Sequence, residues 1–285
     1  MRKRILVTAA ALAAILLSGS LAGCKKLQSR DNLNKGVAAF KNAKYPDAVE
    51  FFKRAVDLDP TFTVARLYLA TAYMNQYIPG ADSPENVEMA KSALDNFQKV
   101  LETEPKNATA VESIASMYYL QSQGSSKVED KLARLEQARV WYQKLTEIDP
   151  TKKEAFYSLG VIAWAKWYPD WNAARSKAGM KPDAAGPLKD KKAKAELIAD
   201  HGQRIEDGIK NLEKALEIDK EYDDAMAYLN LLIRERADLA DDSAGYKKDT
   251  ETADNWMQKA LDTRKIKSER QPKNQGITSE APEAK

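Results

Sequence analysis

The stretch AVEFFKRAVDLDPTFTVA, residues 48–65, sets small, large and small apolar side chains at Ala48, Phe52 and Ala55 ahead of Pro60. Spacings of four and three residues keep the three on one face of an α-helix. Proline then ends the run, because it has no N–H with which to continue the hydrogen-bond ladder. The same phrasing returns in FQKVLETEPKNATA, YQKLTEIDPTKKEA and LEKALEIDKEYDDA. Pro60, Pro105 and Pro150 are spaced 45 residues apart, as are Lys220 and Lys265, while Pro150 to Lys220 spans 70. Before most of these runs lies another apolar segment with a small residue, at Gly36, Ala70, Ala115 and Gly160. The pattern predicts paired helices, A and then B, whose backbones come close wherever an undersized side chain recurs.

Counted from Ser29 to Phe62, Gly36 falls at repeat position 8, Ala48 at 20, Phe52 at 24, Ala55 at 27 and Pro60 at 32. This resembles the tetratricopeptide repeat (TPR), a helix-turn-helix unit of 34 residues. Asn32 and Lys35 depart from it, since the family favours Trp and Leu there. Later units offer Leu69, Ala70, Ala93 and Phe97; Ile114, Ala115, Ala138 and Tyr142; Leu159, Gly160, Gly208, Leu212 and Ala215; and Met226, Leu229, Ala253, Met257 and Ala260. The resemblance implies an all-α, right-handed superhelical solenoid of about five units, at 29–62, 63–107, 108–152, 153–222 and 223–265. The residues in excess of 34 fall between helix A and helix B. Eleven of them make about three helical turns, or roughly 16 Å, and hold the apolar face in phase. Extended helix B arms are therefore expected, with Ser83 as an N-cap and Pro84 at the first helical position of one arm.

The chain opens MRKRILVTAAALAAILLSGSLAGC, a basic start, an apolar run and small residues. That is the build of a secretory signal over residues 1–23, too short in its apolar part for a good spanning helix. Leu21 to Cys24, LAGC, resembles the lipobox of bacterial lipoproteins, which implies acylation of Cys24, the one cysteine of the chain. Several acyl chains anchor stably where one does not. Residues 24–28 are expected to be a tether, and the polar residues 266–285 a disordered tail. Loss of Arg2, Lys3 and Arg4 with the signal takes the formal charge from +3 to zero, so the basic balance does not point to nucleic acid. Lys25 in place of an aspartate favours, in a Gram-negative cell, the outer membrane facing the periplasm.

In the TPR family, helix A positions 2, 5, 9, 12 and 13 line a concave groove that receives a protein or peptide. Carried onto this sequence they give Phe40, Leu67, Thr71, Met74, Asn75, Glu112, Ser116, Tyr119, Tyr157, Val161 and Trp164, with Leu33 and Val37 in the first unit. The set is apolar and aromatic, suited to an amphipathic helix or an extended apolar peptide. It holds no Lys or Arg, so the carboxylate clamp of chaperone-type members is not implied.

A second candidate is the aromatic patch Trp167, Tyr168 and Trp171, beside Trp164 in the longest insertion. Such rings stack on sugars, which gives an alternative reading as a glycan- or peptidoglycan-binding lipoprotein; they equally serve as a hydrophobic plug under the helix that follows. Catalytic chemistry has little to draw on. His201 is the sole histidine and has no thiol for a partner; neither a phosphate-cradling glycine loop nor a serine nucleophile elbow is present. No enzyme activity, metal or cofactor is expected, and the sequence carries no signal for oligomeric state.

Overall fold

The structure, a computed structural model, describes residues 23–181 and 186–270, and no strand occurs among them. The fold is an all-α, TPR-like solenoid of helical hairpins, divided into one compact unit ending at Pro150 and another starting at Thr151. The signal segment up to residue 22 and residues 271–285 lie outside the described residues.

The first unit holds α1 (23–41), α2 (Tyr45–Leu58), α3 (Thr63–Met74), α4 (Pro84–Thr103), α5 (Ala108–Gly124) and α6 (Val128–Ile148). Its joints work as the small-large pattern requires. A methyl group on Gly36 would sit 2.4 Å from the Phe52 ring, so α1 meets α2 only because that side chain is missing. Ser29, fully buried, resolves its own polarity by donating to the Ala55 carbonyl at 2.7 Å. Phe52, Ala55 and Val56 share one apolar cluster with Ala65 and Leu69 of α3. Phe97 and Val100 of α4 share another with Ala110, Ile114 and Met117 of α5. The Ser83 hydroxyl caps α4 by accepting from the Asn86 N–H at 3.2 Å, with Pro84 next in the first turn.

The turns of two hairpins in this unit also touch. Gly80, in the left-handed region at φ 82°, lies against Gly124, where an added Cβ would fall 2.1 Å from the Gly80 nitrogen. Asn86 fixes the same turn. Its amide donates to the carbonyls of Ile78 and Ala81 and accepts from the Ile78 N–H at 2.7 Å.

The second unit holds α7 (Lys153–Lys177), α8 (Lys191–Ile218), α9 (Asp223–Ala237) and α10 (Ser243–Arg270). Gly160 repeats the joint of Gly36: a Cβ there would lie 2.4 Å from Leu212. Gly208 of α8 is crowded from the other side by Ala163 at 2.7 Å.

Three expectations need correction. The B helices are long, at 20, 21, 28 and 28 residues for α4, α6, α8 and α10 against 14 for α2. The added residues do not lengthen helix B alone, however. α7 runs for 25 residues straight through the tryptophan-rich segment, with Pro169 inside it. Trp164, Trp167 and Trp171 follow one another at three- and four-residue steps, so one face stays apolar and outweighs the single ladder bond that proline removes. Residues 24–28, expected as a tether, are helical and belong to α1, and residues 266–270, expected in the tail, are the last turn of α10.

Candidate interaction surface

In the first unit the helix A side chains are half-buried, supported from below by core. Leu33, Val37 and Phe40 of α1 rest on the first apolar cluster, and Phe40 meets Tyr45 edge-on at 5.2 Å. Leu67 and Met74 of α3 rest on the second. Thr71 turns its hydroxyl back to the Leu67 carbonyl at 2.9 Å, and the exposed Asn75 donates to the Thr71 carbonyl. On α5, Ser116 and the Tyr142 phenol lie 3.1 Å apart, while Glu112 and Tyr119 are half-buried.

A cleft of about 750 Å³ also opens in this unit, which the repeat alignment gave no reason to expect. Tyr77, Leu94, Tyr118 and Arg134 line it beside the Asn86 turn, with the Arg134 guanidinium 5.8 Å over the Tyr118 ring. Burial raises the Tyr77 phenol above its ordinary value.

The second unit carries the more developed surface. Tyr157 and Trp164 of α7 meet Tyr228 of α9 edge-on, each at 5.6 Å. Tyr222 extends the row at one end, 5.0 Å from Tyr157; Tyr168 and then Trp171 extend it at the other, at 5.0 and 5.6 Å. Six rings thus form one unbroken row, of which all but Trp171 are half-exposed. Centroid spacings of 5 to 6 Å are those at which aromatic quadrupoles attract. Lys153 tops the row, its ammonium 4.9 Å from the Tyr222 ring and 2.6 Å from Asp219. The Tyr222 phenol is raised above its ordinary range, chiefly by burial, and Tyr228 moves the same way.

Beneath the row lie two buried carboxylates. Trp164 Nε1 donates to Glu235 Oε1 at 3.0 Å, and Trp171 Nε1 donates to Asp238 Oδ2 at 2.8 Å. Arg175, itself buried, places Nη1 2.5 Å from the same Asp238 oxygen and Nη2 2.9 Å from the Lys181 carbonyl. Burial pushes the Glu235 carboxyl up to about 7, against the pull of the Trp164 indole. Burial raises Asp238 too, with Arg175 opposing. Glu235 Oε2 has no hydrogen-bond partner among the described residues. Fixed indoles above fixed carboxylates make a rigid platform, one that presents rings without the entropy of loose side chains.

Of the residues chosen by sequence, Tyr157 and Trp164 come together in this row, and Tyr168 joins them. Val161 does not: it is buried in α7. The patch of Trp167 and Trp171 is corrected to core. Trp167 is fully buried in the cluster that also holds Leu188, Leu197 and Ile205, with its ring against His201. The ring faces of Trp167 and Trp171 are thus taken up internally, while Trp164 and Tyr168 stay half-exposed. Reading along the repeats missed Tyr222, Tyr228, Glu235 and Asp238; the i, i+6 pair of tyrosines flanking the start of α9 was the available sign.

His201 bonds Asp170 at 2.8 Å and contacts Arg204, in the wall of a cleft of about 400 Å³ with Glu196 and Asp200. Burial first, then Arg204, lowers it below the usual imidazole range. Among the described residues no group of three His, Cys, Asp or Glu is placed to hold a metal, and no helix is long and apolar enough to cross a membrane. Cys24 is exposed on α1.

Neither a protein-family model nor a curated protein sequence matches the chain. Solved structures do. A double mutant of MamA from strain RS-1 is 14% identical, covers 85% of this chain and 97% of its own, and has a TM-score of 0.54. MamA from residue 41 to its end, from Desulfovibrio magneticus RS-1, is 14% identical over 84% of this chain and 96% of its own, with a TM-score of 0.53. A further MamA crystal structure gives 13%, 86%, 96% and 0.50. At such identities the likeness is one of fold.

Proposed function

We propose that the chain is a protein-interaction scaffold, a TPR-like lipoprotein held at the cell envelope through acylated Cys24 and facing the periplasm from the outer membrane. The partner is a protein or peptide that lays an apolar, aromatic-accepting segment along the helix A side chains. The observation that supports this most directly is the six-ring row from Tyr222 to Trp171, held in place by Glu235 and Asp238 and half-exposed over most of its length. Large rigid aromatics of this kind anchor interfaces, and helical-repeat arrays bind along extended surfaces. The lipid reading rests on the LAGC sequence and the exposure of Cys24.

Each half has its own test. The wild-type full chain, used as bait in solubilised native membranes, is expected to retain a partner that Trp164→Ala with Tyr228→Ala loses. Equal recovery by both baits defeats the assignment of the row. Metabolic labelling with a fatty acid should mark the wild type and not Cys24→Ser, and Cys24→Ser should leave the membrane fraction; labelling that survives the substitution refutes the anchor.

A further inference from the structure

The last hairpin exposes side chains that the comparable earlier positions bury in whole or in part. At repeat position 24, Phe52, Phe97 and Leu212 are all 0% exposed, whereas Met257 is 39% exposed. At position 28, Val56 and Leu216 are 9% and 8% exposed and Leu101 is half-buried, whereas Leu261 is 51% exposed. The earlier side chains are covered by the helix A that follows: Phe52 and Val56 by Ala65 and Leu69 of α3, Phe97 by Ala110 and Ile114 of α5, Leu212 and Leu216 by Ala225 and Leu229 of α9. No described helix follows α10.

What suits this face is set by its own charges. One flank of α10 carries, in order, Thr250, Asp254, Met257, Leu261, Arg264 and Ser268, at steps of three and four. These six are symmetric about residue 259. Turned antiparallel on itself, the flank sets Met257 against Leu261, Asp254 against Arg264 and Thr250 against Ser268, each pair occurring twice. Turned parallel, it sets Asp254 against Asp254 and Arg264 against Arg264. Asp254 and Arg264 already have partners within the unit, Arg234 for the first and Asp223 and Asp224 for the second. Their side chains nonetheless stay 69% and 51% exposed, leaving an outer edge for a second interaction. We infer that the α10 flank is a homodimer interface, closed by the same flank of a second copy running antiparallel across a two-fold axis at residue 259. Such an interface is isologous and closes on itself, so it makes pairs and not filaments. It is independent of the binding role proposed above.

Sedimentation equilibrium of the purified full chain in density-matched detergent tests it. The wild type is expected to give the mass of two chains. Met257→Glu and Leu261→Lys, each made alone, should raise the dissociation constant about tenfold or more, because each sets a charge against an apolar neighbour at two places in the dimer. Combined in one chain, the two substitutions bring an acid at position 257 of each copy opposite a lysine at position 261 of the other, and the dimer should return. Helical circular dichroism, unchanged in all three, shows that α10 is intact. A wild type that stays monomeric across the concentration series overturns the inference. So does a dimer indifferent to either single substitution, or a double variant that does not recover.

Discussion

The two units use one joint and stiffen it by different means. In the first, α1 to α6 hold together through small apolar clusters, with Gly36 under Phe52 and backbone against backbone at Gly80 and Gly124. In the second, α7 to α10 enclose a larger cluster around Trp167, and its wall is polar: Arg175, Glu235, Asp238 and Asn230 are all buried. A buried ion pair contributes little net stability over an apolar replacement, but leaving one partner alone is expensive. The lesson is that the second unit depends on a few buried charged groups that must all be present. Those groups sit directly beneath the aromatic row, so surface and core are coupled there.

That contrast is open to direct attack. The largest effect is expected from Trp167→Ala, which empties the fully buried centre of the second unit and should cost about 3–5 kcal/mol. Hydrogen exchange read peptide by peptide should show the loss after Thr151 and spare the first unit. Next comes Arg175→Met, which strands the Asp238 carboxylate and should cost roughly 3 kcal/mol; adding Asp238→Leu removes the stranded charge but leaves the Trp171 N–H without its acceptor, and should recover part of it. Failure of the double variant to recover, in urea denaturation, would show that the pair contributes more than mutual neutralisation.

Glu235 gives a pH signature of the second unit alone. Its folded value, about 7, lies above the ordinary 4.5, so the folded state holds the proton more tightly. Its contribution is fully present below about 4.5, declines between 4.5 and 7, and is gone above that, on the order of 3 kcal/mol in all. Glu235→Gln should flatten the decline in a Tm-against-pH series. The smallest effect belongs to the first unit: Asn86→Ala, which frees the turn at Ile78 and Ala81, should cost about 1–2 kcal/mol in urea denaturation.

Much of the fold was legible because steric demands leave marks on composition. Gly36 and Gly160 are small because Phe52 and Leu212 occupy the space a side chain would take, and that relation recurs from one hairpin to another. The surface was less legible. Tyr157 and Trp164 follow from their repeat positions, but their meetings with Tyr228 and Glu235 join residues about 70 positions apart, and nothing in the local spacing of either segment announces the other. Trp167 and Trp171 misled for a related reason. Aromatic density reads the same whether the rings face outward or inward, and only the helical phase of α7 separates the two.

The meeting of Gly80 and Gly124 carries one more implication. Helical-repeat arrays flex because each hairpin pivots on its neighbours through yielding side chains. Where two turns abut with no side chain between them, nothing is left to yield, and that corner of the first unit acts as a fixed hinge pin. Any motion between those hairpins must then be taken up away from that corner.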